Sequence, residues 1–457
     1  MYALRWGEKM KFPKDFVWGA ASSAIQIEGS PFADGGGESV WDRFSSIPGK
    51  IRNGANPSVA CDSYKRFGDD IVMLEEMGLK AYRFSTSWAR IDPKADGNWN
   101  QQGLAYYDRV VNLLLEKGIE PYITLHHWEL PQAAEDRGGW LNPETAHAFG
   151  RFAGMMAAHF KGRVKYYFTL NEPQCILHLG YDKGLHAPGR TLEQRGLFNC
   201  FKHLMMAHGL AMRAVKAADE NALVGLASTG RLCYPDTDSA EDMAASERAT
   251  FRLFDDDWAF THGPVLDAIC FGSFPPCAGT KLEALAAEIT AEEWKIIHCK
   301  PDFLGVNVYN GSCVRADGDG ETYVPRYDGY PSTGLKWPVT ERVMHEGLLH
   351  LWNRYGLPIY ITENGLSCND KIYLDGKVHD PDRIDFLTRY LRELHKCAET
   401  ADVRGYFHWS LTDNFEWHEG YGDRFGLVFI DYPSGKRILK DSALWYKEIA
   451  ASNGEKL

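Results

Sequence analysis

The chain has 457 residues, 44% of them hydrophobic, and a formal net charge of −12. That length supports a large buried core, and the acidic balance argues against a nucleic-acid or anionic-membrane partner, with no basic run to offer a local exception. No apolar run approaches the roughly 20 residues that a membrane span needs.

Ten cysteines are scattered without a C-x-x-C pair or a His/Cys ligand spacing, which fits reduced thiols in a cytoplasm. Met1 to Met10 lacks an apolar core and a small-residue cleavage site, so no signal peptide is expected. Aromatic residues make up 13% of the chain, a content compatible with stacking on sugar rings, although ordinary core packing accounts for most of them.

Phe16 to Ala20 reads as a short apolar strand running into Ser22 to Gly29. Asp69 to Met77 carries Ile71, Val72, Leu74 and Met77 at helical spacing, and Gly78 stops it. Ala81 to Ser85 is the next strand. Tyr106 to Lys117 is amphipathic and leads into the strand Ile119 to Leu125, tipped by His126-His127-Trp128. Thr145 to Phe160 and Leu197 to Ala218 read as helices, flanking the strand from Val164. Ala222 to Ala227 is a further strand. Residues 231–300 read as helices with long loops, and Asp302 to Tyr309 as a strand. Residues 311–340, rich in Gly, Asp, Tyr and Pro, read as a loop over an active-site mouth. The helix Val343 to Tyr355 precedes the strand from Pro358. Arg383 to Ala398 precedes the last strand, Arg404 to Trp409. Eight strands alternating with helices predict parallel βα units closed into a single (β/α)8 TIM barrel, with long loops over the C-terminal face of the strands and residues 1–457 as one catalytic domain.

Two strands share one design. Pro358-Ile-Tyr-Ile-Thr-Glu-Asn-Gly365 and Val164-Lys-Tyr-Tyr-Phe-Thr-Leu-Asn-Glu-Pro173 are apolar runs that each deliver a carboxylate, Glu363 and Glu172, to the strand end. A carboxylate there costs desolvation energy unless something uses or satisfies it. Two of them, far apart in sequence, are what a two-carboxylate glycosidase requires. With all the strand tips on one face, a polar set gathers: Gln26, Arg83, His127, Asn171, Glu172, Asn307, Tyr309, Glu363, Glu416 and Trp417.

From Phe12 to about Asp431 the sequence resembles the family 1 glycoside hydrolases, the β-glucosidase family. The stretches that carry the resemblance are Phe16 to Gly29, Tyr82-Arg-Phe-Ser85, Leu125-His-His-Trp128, Thr169-Leu-Asn-Glu-Pro173, His186-Ala-Pro-Gly189, Ile361-Thr-Glu-Asn-Gly365 and Trp409-Ser-Leu-Thr-Asp-Asn-Phe-Glu-Trp417. The resemblance implies Glu363 as nucleophile and Glu172 as general acid/base of a retaining mechanism, their carboxyls about 5–5.5 Å apart. It implies Arg83, Tyr309 and Asn307 as support, and a glycone site from Gln26, His127, Asn171, Glu416 and Trp417 over a Trp409 floor. His126 is expected to be structural, and Trp337 to wall the leaving-group site.

The resemblance implies no metal and no organic cofactor; Asp255-Asp-Asp257 reads as a solvated helix end. Gln174-Cys175, Gly272-Ser-Phe-Pro275 and Gly334-Leu-Lys-Trp337 depart from the commoner pattern where the leaving group is expected. The substrates implied are small β-glucosides or oligosaccharides, with β-galactoside, β-fucoside and sugar-transfer activity left open. A sugar-binding barrel without catalysis is the alternative reading.

Overall fold

The computed structural model describes residues 10–457, so the expectation about the N-terminus lies, but for Met10, outside the described residues. Eight parallel strands close into a barrel: β1 (Val17–Ser22), β2 (Ala81–Ser85), β3 (Glu120–His126), β4 (Tyr166–Asn171), β5 (Leu223–Ser228), β6 (Phe303–Asn307), β7 (Ile359–Asn364) and β8 (Val403–Trp409). Each pairs with the next in sequence, and β8 closes on β1 with Val17 opposite Gly405 and Ala21 opposite Trp409. This is the expected (β/α)8 barrel. Strands buried on both faces explain why these segments read as continuous apolar runs rather than as alternation.

The barrel interior has its own apolar cluster, including Tyr122, Phe168, Phe303, Tyr360 and Phe407, distinct from the larger core between strands and helices. Large rings fit because glycines face them. A Cβ on Gly19 would lie 2.6 Å from the Phe407 ring, and one on Gly225 only 2.2 Å from the Phe303 ring. Gly225→Ala would therefore overpack the barrel, at a cost of about 1–3 kcal/mol. The aromatic filling leaves only the strand ends open to solvent chemistry.

The helices are defined by local signals. Asn100 and Asn142 each accept a backbone N–H at the start of helices Gln101–Glu116 and Pro143–His159, the second with Pro at its first position. Val110, Val111 and Leu114 form the buried stripe of the first of these. Loss of a cap such as Asn100 costs about 1 kcal/mol.

One expectation needs correction. The 311–340 stretch is not loop throughout: Ser312–Asp317 and Gly320–Tyr323 form an antiparallel hairpin, and Cys233–Pro235 pairs alongside it. Gly318, with φ of 56°, supplies left-handed backbone at the hairpin turn. Val314, the one fully buried residue of its strand, packs on Cys233, Ala245 and Ala249. A single buried position is too weak a pattern to read as a strand. Among the described residues no helix is long and apolar enough to cross a membrane, and all ten cysteines are free.

Candidate active site

The barrel brings the strand-tip set together. Arg83, on β2, is 1% exposed and reaches across the barrel mouth. Its Nη1 donates to Glu363 Oε1 at 2.9 Å and to the Thr362 carbonyl at 3.0 Å, while Nη2 donates to Asn171 Oδ1 at 2.6 Å. Tyr309 OH donates to the other carboxylate oxygen, Glu363 Oε2, at 2.8 Å. Asn307 Nδ2 donates to Asn171 Oδ1 at 3.1 Å and lies within hydrogen-bonding reach of both Glu172 and Glu363. Asn171 Nδ2 in turn meets His127 Nε2 at 3.0 Å.

The two carboxyls are buried but differently furnished. Glu172 stands one residue beyond β4, with φ of 45° and ψ of 62°, and its N–H donates to the Ala227 carbonyl at 2.8 Å. A glutamate in the left-handed region is held there at a cost of order 1–3 kcal/mol. Burial, followed by the nearby charge of Glu363, pushes its carboxyl up to about 8. Burial raises Glu363 as well, but the Arg83 charge and the hydrogen bonds from Arg83, Tyr309 and Asn307 pull the other way. Of the pair, Glu363 is the one furnished to carry charge and Glu172 the one furnished to hold a proton.

The flanking residues form a cup. Gln26 is fully buried; its Nε2 donates to Asn414 Oδ1 at 3.0 Å and to the Phe415 carbonyl at 2.9 Å, and lies 3.5 Å from Glu416 Oε2. Burial first, then the charges of Glu363, Asp423, Glu172 and Glu419, raise Glu416 well above the carboxylate range. His127 stacks between Trp409 and Trp417, with ring centroids 5.6 and 5.9 Å away. Burial, then the charge of Arg83, keeps His127 neutral by lowering it well below its usual value. Trp337 packs against Tyr309 at 5.2 Å and Phe425 at 6.0 Å.

Ten of the twelve residues read from the sequence are thus linked by contact, and the Gln26–Glu416 pair joins them through Trp417, next to Glu416 in the chain. His126 stands apart, edge-on to Trp140 and Phe149, in keeping with a structural role. In the Asp255 to Asp257 run, Asp257 pairs with Arg231 at 3.0 Å.

Some participants were given no role in the sequence reading. Thr362 Oγ1 donates to Asn307 Oδ1 at 2.5 Å, and Thr124 Oγ1 accepts from Arg83 Nε at 3.1 Å. Their signal was a lone hydroxyl inside an otherwise apolar strand. Trp41 and Trp128 back Trp417 at 4.6 and 4.3 Å, and His186 adjoins Trp128 at 5.5 Å. Gln174, in a stretch expected near the leaving group, is fully buried and its amide holds Ser228 at the tip of β5. A side-chain amide that finds two backbone-anchored partners is more stable inside than facing solvent.

The chain is similar to known proteins over nearly its whole length. The family model for glycosyl hydrolase family 1 matches residues 8–455. Beta-glucosidase A of Thermotoga maritima is 38% identical, covering 97% of this chain and 98% of its own length. A bifunctional beta-D-glucosidase/beta-D-fucosidase of Bifidobacterium breve is 39% identical, covering 97% and 99%. The solved family 1 β-glucosidase from Thermotoga maritima superimposes with a TM-score of 0.89 at 37% identity, over 98% of this chain and 100% of that one. Barrel, strand-tip constellation and end-to-end similarity lead to one conclusion: the chain belongs to glycosyl hydrolase family 1.

Proposed function

We propose that this chain is a retaining exo-β-glycosidase, specifically a β-glucosidase, releasing terminal non-reducing β-D-glucosyl residues by double displacement. The observation that carries the reading is the asymmetric pair: Glu363 held by Arg83 and Tyr309, and Glu172 pushed up to about 8 beside it. Glu363 attacks the anomeric carbon while Glu172 gives its proton to the departing glycosidic oxygen. The C–O bond to the leaving group breaks and a glycosyl ester on Glu363 forms. Esterification removes the Glu363 charge, so the Glu172 carboxyl, now ionised, takes a proton from water. That water bonds to the anomeric carbon, and Glu363 leaves as a carboxylate.

Gln26, His127, Asn171, Glu416 and Trp417 are the hydrogen-bonding wall for the sugar hydroxyls, Trp409 its aromatic floor, and Trp337 one side of the leaving-group site. Arg83 and Asn307 hold the carboxyls in place. The substrates we assign are small β-glucosides and oligosaccharides, with β-fucosides as a second class on the strength of the bifidobacterial relative. The solved relative has been captured with deoxynojirimycin and with glucoimidazole, and both are expected to bind here. We read the whole chain as one catalytic domain acting in the cytoplasm, a location supported by ten free cysteines.

The test is proton NMR of the first-formed sugar from an aryl β-glucoside. The β-anomer should appear first and then mutarotate. First appearance of the α-anomer would exclude a retaining mechanism.

A further inference from the structure

Gln174 lies two residues beyond Glu172 and is fully buried, yet it touches neither the carboxyl pair nor the residues of the sugar cup by hydrogen bond. Its amide grips the tip of the neighbouring strand from both ends. Nε2 donates to Ser228 Oγ at 2.7 Å, and Oε1 accepts from the Thr229 N–H at 3.4 Å. Ser228 Oγ also meets His262 Nδ1 at 2.9 Å, anchoring the grip to the helix His262–Phe271. Thr229 Oγ1 donates to the Asn307 carbonyl at 3.3 Å, which carries the connection to the amide that serves both catalytic carboxyls.

The Glu172 main chain grips the same segment from the other side, through its N–H on the Ala227 carbonyl at 2.8 Å. Glu172 and Gln174 therefore bracket Ala227 to Thr229, with the left-handed backbone of Glu172 between two attachments. A strained conformation persists only where its surroundings over-determine it. Pro173 has no N–H to contribute, and the Glu172 carbonyl accepts from within its own turn, from the Cys175 and Ile176 N–H groups at 2.9 and 3.3 Å, so the Gln174 side chain is the turn's second attachment to the neighbouring strand.

We infer that Gln174 is a positioning residue for proton transfer: by clamping Ser228 and Thr229 it fixes the turn that aims the Glu172 carboxyl at the glycosidic oxygen. The inference rests on the reading of Glu172 as acid/base. Relaxing the clamp should displace the acid without removing it, and displacements near an ångström cost about 10²-fold in rate.

The test is kcat/KM, which reports the glycosyl-forming step, for Gln174→Met across aryl and alkyl β-glucosides of graded leaving-group ability. Methionine keeps the volume and removes both hydrogen bonds. The expected result is a loss of about 10–100-fold for alkyl glucosides and cellobiose, with less than about threefold for 2,4-dinitrophenyl glucoside, whose leaving group needs no proton. Ser228→Ala, a smaller change that removes one end of the clamp, should show the same split at reduced size, and serves if Gln174→Met does not fold. Azide, which needs no general base, should restore dinitrophenyl glucoside turnover in both variants. Equal losses on good and poor leaving groups, or no loss, would overturn the positioning role. Glu172→Ala is measured in parallel. If it shows the split and the clamp variants do not, the inference alone fails; if it shows no split, the acid/base reading fails and takes the inference with it.

Discussion

One guanidinium joins Arg83 to Glu363 at 2.9 Å and, through its other terminal nitrogen, reaches the amide of Asn171 at 2.6 Å. The nucleophile and the residue preceding the acid/base are thus set by a single rigid plane. Arg83→Met would strand a buried carboxylate, costing about 3–5 kcal/mol of stability. It would also lower kcat/KM by roughly 10²–10³-fold, as loss of a preorganised donor does. Arg83→Lys keeps the charge but not the fork, so it should recover stability more than activity. Thermal melts and steady-state kinetics on both variants check this.

The alkaline limb of the pH–kcat/KM profile should follow Glu172, which burial and the Glu363 charge push up to about 8. Below that pH the acid is protonated and competent; above it activity falls. Trapping Glu363 as a 2-deoxy-2-fluoroglucosyl ester removes a negative charge, so the Glu172 pKa should drop. Carbon-13 NMR titration of the labelled carboxyl, free and trapped, measures the change. An unchanged or raised value on trapping would contradict the electrostatic coupling.

Tyr309 OH is 2.8 Å from Glu363 Oε2. A hydrogen bond to a charged group contributes about 1.5–3 kcal/mol, so Tyr309→Phe should lose roughly 10–100-fold in kcat. The loss should persist with dinitrophenyl substrates, because it acts on the nucleophile and not on the acid. Kinetics on a leaving-group series distinguish the two.

Much of this was legible in the sequence because a parallel barrel writes itself in a simple code. Strands such as Ile359–Asn364 are buried on both faces and so read as unbroken apolar runs with a polar tip. Ten strand-tip residues, from Gln26 to Trp417, could be collected without knowing a single contact. What stayed hidden was whatever depends on neighbours across the barrel. Thr362 and Thr124 look like ordinary strand residues until Asn307 and Arg83 reach them. Gln174 read only as a departure near the leaving group because its partners, Ser228 and Thr229, lie more than fifty positions away. The hairpin within 311–340 was missed because Val314 alone marks its buried face.

Glu129, outside the candidate site, should add its own pH effect on stability. Burial, then the charge of Glu28, pushes it up to about 8, while its Oε2 accepts from the Ile25 N–H at 3.1 Å. The folded state then binds more protons than the unfolded chain, whose glutamates titrate near about 4.3. Stability from this group is full below that lower value and is lost as pH rises through the folded one, by about 1.4 kcal/mol per pH unit in between. Glu129→Gln should therefore match the parent protein near pH 5 and exceed it in melting temperature near pH 9. Parallel melting curves across that range decide the sign.

The most direct test of the central claim is to trap the enzyme with 2,4-dinitrophenyl 2-deoxy-2-fluoro-β-glucoside and map the modified peptide by mass spectrometry. The account predicts one covalent sugar per chain, on Glu363, with activity lost in step. A label on any other carboxylate, or complete inactivation without a label, would contradict it.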